Sequence, residues 1–229
     1  MVQTQSSITT KYIDMPKIQM KPDELDLSYG AGMDAFHKDL VRTMTKTRSG
    51  LTILYGPPGG GKTTYIRHLI WALRSKKKLI LMPKAILPML GTPQFISYLV
   101  DLKGTPSVLV LEDAEDVITS EARSQGSATS TLLNLTDGIL NDICGTQVIL
   151  TFNCPLVKVD SALLRSGRLI GKKEFGPLTA SEARKFAEHK KLASVNITGP
   201  TMLCDIVCLP PVGSEASGSV PVARTPIGF

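Results

Sequence analysis

Apolar residues in this 229-residue chain fall into two alternating rhythms. Phe36, Leu40, Val41 and Met44 recur at helical spacing and predict a helix over residues 34 to 47. Leu51-Thr52-Ile53-Leu54-Tyr55 then forms a short, almost unbroken apolar run, as expected of a strand covered on both faces. Beyond a glycine-rich stretch, Ile66, Leu69, Ile70 and Leu73 stand at i, i+3, i+4 and i+7 and mark one face of a second helix. Further apolar runs at 79 to 82, 107 to 111 and 147 to 152 are separated by helix-like segments. This alternation predicts an α/β fold with a parallel sheet between two layers of helices.

The flanks read differently. Residues 1 to 28 lack sustained periodicity and contain Pro16 and Pro22, which predicts an extended N-terminal arm. After Gly176-Pro177 the pattern becomes helical, opened by Thr179 with Glu182 three residues later as a capping box. Met202 to Val207 reads as another short helix before Pro210-Pro211, and the Gly/Ser/Pro-rich end from residue 212 as a disordered tail. The expected organisation is an arm (1–28), a core (29–176), a small helical lid (177–209) and a tail (210–229), with no internal repeats.

With 42% hydrophobic and 20% charged residues, the chain can bury one substantial core. No run approaches the roughly 18 apolar residues of a membrane helix, and the N-terminus lacks the basic and apolar regions of a signal peptide, so a cytoplasmic location is expected. Cys144, Cys154, Cys204 and Cys208 have no histidine beside them to complete a zinc set and read as reduced, buried thiols. The net charge of +6 is uneven: residues 29 to 106 carry 12 basic against 3 acidic side chains, residues 107 to 176 carry 6 against 9. That basic excess suits a bound nucleotide, nucleic acid or an acidic neighbouring subunit. Lys76-Lys77-Lys78 has a plainer reading as the cationic end of a helix.

Between the first strand and the second helix lies Gly56-Pro57-Pro58-Gly59-Gly60-Gly61-Lys62-Thr63, followed by Thr64. A G-x-x-x-x-G-K-[ST] loop that leaves a strand and opens a helix points its backbone N–H groups at phosphate oxygens. Lys62 would bridge the outer phosphates of ATP and Thr63 would ligate Mg²⁺. Such a site also needs an acid at the end of a neighbouring strand, and Val108-Leu109-Val110-Leu111 runs into Glu112-Asp113-Ala114-Glu115-Asp116. Glu112 would face the metal through water and Asp113 would polarise the attacking water. The acids also read as a solvated helix start.

With these residues in place the sequence resembles the AAA family of ATPases over roughly residues 29 to 207. Gln147 to Asn153 resembles the family's sensor strand, which implies that Asn153 contacts the γ-phosphate or the attacking water. Val159-Asp160-Ser161-Ala162-Leu163-Leu164-Arg165-Ser166-Gly167-Arg168 is similar to the stretch whose two arginines reach a neighbouring subunit's nucleotide. The resemblance assigns that role to Arg165 and Arg168, and the adenine pocket to Tyr29-Gly30. It implies a P-loop NTPase three-layer fold with a five-stranded parallel sheet and a reduced helical lid. It also implies a homo-oligomeric, hexamer-like ring that hydrolyses ATP with Mg²⁺ and moves a protein or nucleic-acid partner.

Two departures qualify the resemblance. Most members place Asp on the metal and Glu on the water, whereas Glu112-Asp113 reverses the order, as in mitochondrial translocases of the Rieske protein and small bacterial stand-alone AAA proteins. The shorter Asp needs the water about 1.5 Å nearer its backbone. Residues 84 to 95 also lack the aromatic pore loop of the family's unfoldases, offering only Pro88-Met89-Leu90-Gly91. A non-catalytic nucleotide switch, a DNA-associated loader or motor and a small-molecule kinase are the competing readings.

Overall fold

The computed structural model describes residues 18–119, 127–137, 139–165, 167–193 and 197–212. Along the chain come α1 (Pro22–Tyr29), α2 (Met33–Lys46), β1 (Gly50–Tyr55), α3 (Lys62–Leu73), β2 (Lys78–Met82), a 3₁₀ segment (Lys84–Gly91) and α4 (Pro93–Asp101). There follow β3 (Ser107–Leu111), α5 (Glu115–Ile118), α6 (Ser127–Asp137), α7 (Ile139–Cys144), β4 (Thr146–Phe152), β5 (Leu169–Glu174), α8 (Ala180–His189) and α9 (Leu203–Val207). The five strands form one parallel sheet in the order β2-β3-β4-β1-β5.

Three of the four apolar runs become the central strands β3, β4 and β1, which are almost wholly buried; the run at 79 to 82 becomes β2, which with β5 forms the half-exposed edges. Their residues still alternate between faces. Leu51, Ile53, Leu109, Leu111, Val148, Leu150 and Phe152 pack on one side with Leu99 of α4 and Leu132 of α6. Leu54, Val108, Val110 and Ile149 pack on the other against Leu40 and Met44 of α2 and Ile66 and Leu69 of α3. Each fully buried Leu or Ile contributes about 2 kcal/mol of transfer free energy, so the register is strongly set. Tyr55 stands beside Phe152 and Leu111 beside Leu150. The segments following β1, β3 and β4 therefore leave the sheet close together.

Several expectations change. The arm is not extended throughout: Pro22–Tyr29 is a helix with Pro22 in its first turn, while residues 1–17 lie outside the described residues. The fifth strand is Leu169-Ile170-Gly171-Lys172-Lys173-Glu174, too polar for its sequence to announce it. A Cβ on Gly171 would stand 2.7 Å from Leu40 Cδ1, so glycine lets α2 approach this edge. Helix α3 ends at Leu73, Lys78 begins β2, and buried Lys77 donates to the carbonyl of Thr47 at 2.9 Å. That lysine caps the end of α2 rather than its own helix. Of the four free cysteines only Cys144 is buried, and Cys204 and Cys208 are exposed.

The capping box at Thr179 and Glu182 forms as predicted. Leu178, Ala183, Phe186, Ile197 and Ile206 make a small separate cluster with Leu27 of α1 against it. Pro210 and Val212, assigned to the tail, bond to Ala193 and Lys191, and residues 213–229 lie outside the described residues. No helix among the described residues is long and apolar enough to cross a membrane.

Helices α2 and α3 also enclose a histidine pair, His37 and His68, with ring centroids 4.4 Å apart. His68 Nδ1 accepts from the Met20 N–H at 3.1 Å, and His37 Nδ1 lies 3.3 Å from the Tyr65 hydroxyl. Burial, then the neighbouring His68, pushes His37 down to about 4, with Asp34 opposing and Lys38 adding to the shift. Burial likewise lowers His68. The unfolded chain takes up these protons near pH 6.5 and the folded chain only at lower pH, so the contribution is complete above that value and is lost as pH falls towards 4. Allowing for partial solvent access, about 1–2 kcal/mol should disappear. Urea unfolding at pH 7 and pH 4.5 checks this, and His37→Gln should shrink the difference between the two.

Candidate functional site

Gly56 through Gly61 turn the chain from the end of β1 into α3, passing directly over the backbone of Phe175 after β5. A Cβ on Gly56 would lie 2.5 Å from the Phe175 carbonyl oxygen and one on Gly60 2.4 Å from it, so glycine is required by contact. Phe175 is itself held, its N–H donating to Tyr55 O at 2.7 Å. The twelve-residue helix α3 then opens with Lys62, exposed Thr63 and half-buried Thr64 at its positive end. Pro57, Pro58 and Gly59 complete the turn.

Lys62 bends back into this loop, only 8% exposed. Its ammonium donates to Gly56 O at 2.7 Å, Pro57 O at 3.0 Å and Asn153 Oδ1 at 2.8 Å. Desolvation lowers its pKa, opposed by the charges of Asp113 and Glu115. Asn153, on the first position after β4, sends Nδ2 to Glu115 Oε1 at 3.0 Å and to Asp113 Oδ1 at 3.3 Å. Loop, Asn153 and acidic segment are thus joined by hydrogen bonds, although Lys62 and Asn153 are 91 residues apart in sequence.

The acids separate into distinct environments. Glu112 Oε1 is buried with no hydrogen-bond partner. Asp113 is exposed, has φ of 51°, and donates its N–H to Thr151 Oγ1 at 3.1 Å. Asp tolerates that left-handed backbone better than most residues. Ala114 N–H binds Thr151 O at 2.9 Å, pinning the turn to β4. Glu115, to which sequence reasoning gave no role, is the residue that holds Asn153. Asp116 instead meets Lys84 at 3.2 Å in an exposed pair.

Tyr29 stands under the loop, its hydroxyl donating to Gly61 O at 3.3 Å and its ring set edge-on to Phe175 and Tyr65. Burial raises its pKa. Gly30 faces α8, where an added Cβ would be 3.3 Å from Glu182 Oε1. From α9 the Cys204 N–H donates to Gly59 O at 3.0 Å. Tyr29, Gly30 and α9 consequently surround the loop where α1 and the C-terminal cluster meet.

Arg165 and Arg168 are not brought to this end of the sheet. Leu169 pairs with Leu51 at the start of β1, whereas the loop follows Tyr55, about 13 Å further along the strand. Arg165 is exposed. Arg168 is half-buried and its guanidinium donates to the Ala162 carbonyl.

Residues 52–177, more than half of the chain, match the model of the ATPase family associated with various cellular activities. The chain belongs to the AAA family. An Arabidopsis thaliana protein, AAA-ATPase At5g17740, is 27% identical over 188 residues, covering 74% of this chain and 34% of its own. This AAA chain thus spans about a third of that relative's length. Among solved structures, a chain from the Escherichia coli MS115-1 HORMA:CdnC:Trip13 complex superposes with a TM-score of 0.55 at 16% identity, covering 78% of this chain and 73% of that one. At that identity the likeness is one of fold.

The nucleotide binding that AAA membership implies comes with Mg²⁺ in most of the family, and the residues present fit such an ion. The orphaned, buried Glu112 oxygen and the exposed Thr63 hydroxyl supply oxygen donors of the kind Mg²⁺ takes. No cluster of three or more His, Cys, Asp or Glu ligands occurs among the described residues. Nucleotide phosphates and water would therefore complete the coordination, as is usual for this ion.

Proposed function

We propose that this AAA protein is a Mg²⁺-dependent ATPase that works as a hexamer-like homo-oligomer and uses turnover to move or remodel a macromolecular partner. The observation that carries the reading is the triple hold on Lys62, which places one ammonium between the phosphate loop, Asn153 and the acids after β3. ATP phosphates would lie on the N–H groups of Gly59 to Thr64 and draw Lys62 off its carbonyl partners. Glu112 and Thr63 would hold Mg²⁺, whose charge offsets that of the phosphates. Asp113 would then accept a proton from the attacking water, with Asn153 beside it.

Arg165 and Arg168, at the far end of β1 and β5 from their own loop, suit a role toward a neighbour's nucleotide. A guanidinium fork supplied across an interface makes hydrolysis depend on assembly. That the structurally similar Escherichia coli chain occurs in a complex with HORMA and CdnC supports a protein partner over nucleic acid. Four free cysteines fit a reducing, cytoplasmic setting. Tyr29 and Gly30 would border the adenine.

Mixed subunits test this reading. Neither Lys62→Ala nor Arg165→Ala subunits alone should release phosphate efficiently, whereas co-assembled mixtures should recover a measurable fraction at interfaces that pair an intact loop with an intact arginine. Absence of recovery in mixtures shown to co-assemble would remove the shared site. The sequence order Glu112-Asp113 favours the alternative of a nucleotide switch, since the shorter acid stands where the family usually has Glu. Nucleotide-driven assembly without phosphate release in any assembled state would establish that alternative.

A further inference from the structure

Glu115, half-buried on the first turn of α5, uses a single carboxylate oxygen twice. Its Oε1 accepts from the Asn153 backbone N–H at 2.7 Å and from Asn153 Nδ2 at 3.0 Å. Asp113 Oδ1 takes a second bond from the same Nδ2 at 3.3 Å, and on the opposite side Asn153 Oδ1 accepts from Lys62 Nζ at 2.8 Å. Which end of an amide is oxygen is decided by its network. Turned over, this amide would set its oxygen against two carboxylates and its NH₂ against an ammonium, so every contact would become repulsive.

We propose that Glu115 is a positioning residue that clamps Asn153 with its amide oxygen, rather than its NH₂, facing Lys62 and the space before the phosphate loop. The proposal rests on the ATPase reading and narrows it. With Nδ2 occupied by Glu115 and Asp113, Asn153 acts as an acceptor, for Lys62 or for a proton of the attacking water, and not as a donor to a phosphate oxygen. Every bond of the clamp is made between protein groups, from α5 and α3 to the residue that follows β4. Its two charge-assisted bonds also hold the chain where β4 ends.

The test uses the full chain and three variants, Glu115→Ala, Glu115→Gln and Asn153→Ala, with the double variant Glu115→Ala/Asn153→Ala. Glutamine retains an oxygen that can accept both bonds, so Glu115→Gln should keep kcat within about threefold. Glu115→Ala should lower kcat about 10- to 100-fold while leaving KM for ATP within about threefold, because positioning rather than binding is lost. Glu115→Ala/Asn153→Ala should be no worse than Asn153→Ala, since both remove one unit. Undiminished kcat in Glu115→Ala, or additive losses in the double variant, would overturn the proposal.

A second measurement separates the clamp from the ATPase reading. Hydrogen exchange of the nucleotide-free chain, followed in a peptide spanning Phe152 to Cys154, should show the Asn153 amide protected in the unaltered chain and in Glu115→Gln. In Glu115→Ala it should exchange about tenfold faster or more. If the unaltered chain releases no phosphate, the ATPase reading fails alone and this exchange decides the clamp. Unchanged exchange in Glu115→Ala would refute it.

Discussion

Lys62→Ala should lower phosphate release by about 10²–10³-fold, equivalent to about 2.7–4 kcal/mol of lost transition-state stabilisation. Among the described residues Lys62 is the cation that reaches Gly56 O, Pro57 O and Asn153 Oδ1 together. Stability should move in a different way. Burial holds the Lys62 pKa down, which means that folding disfavours its charge. Removing the ammonium leaves the buried Gly56 carbonyl and the part-buried Pro57 and Asn153 oxygens without this donor but relieves that desolvation, so the two effects oppose and the unfolding free energy should change by only about 1 kcal/mol. Phosphate release and urea unfolding on the same samples check both halves. A large stability loss with proportionate loss of activity would show that Lys62 serves the fold rather than the phosphates.

Gly60→Ala should damage both properties. The added Cβ would lie 2.4 Å from the Phe175 carbonyl oxygen, 3.1 Å from its carbon and 3.2 Å from its Cβ. Phe175 cannot easily retreat, because its N–H is bonded to Tyr55 O and its ring packs against Tyr29 and Tyr65. The loop must shift instead, and overpacking of this kind costs about 1–3 kcal/mol. Displacing the phosphate N–H groups by about 1 Å should weaken nucleotide binding about 10²-fold. Titration with a fluorescent ATP analogue and denaturant unfolding measure the two effects. Gly176→Ala is the control, since an added Cβ there meets nothing within 4 Å; it should stay within about 0.5 kcal/mol of the parent.

These effects depend on information of two kinds. The loop from Gly56 to Thr63 was legible because its chemistry is local: glycines, lysine and hydroxyl act from consecutive positions between one strand and one helix. β1, β3 and β4 were legible as apolar runs because interior strands must satisfy both faces of the sheet, and the edge strand β2 because Leu79 to Met82 are all apolar. The fifth was not, since an edge strand can carry Gly171, Lys172 and Lys173 with one side in solvent. Helix α1 was hidden by its short length and weak amphipathicity, its packing supplied by Leu25 and Tyr29.

By itself, then, the sequence determined an α/β chain with a glycine-rich loop between a strand and a helix, an acid run after one strand and an asparagine after another. Tertiary structure decided which acid meets which partner. Glu112, Asp113, Glu115 and Asp116 are near-equivalent as letters, yet one has a buried, unpartnered oxygen, one turns left-handed, one clamps Asn153 and one pairs with Lys84. The difference arises from register: Tyr55 beside Phe152 brings the ends of β1 and β4 level, Leu111 beside Leu150 ends β3 just before them, and parallel pairing between segments dozens of residues apart leaves no local signal. Lys62 therefore meets Asn153 only because the sheet is built, and so does the clamp that holds it.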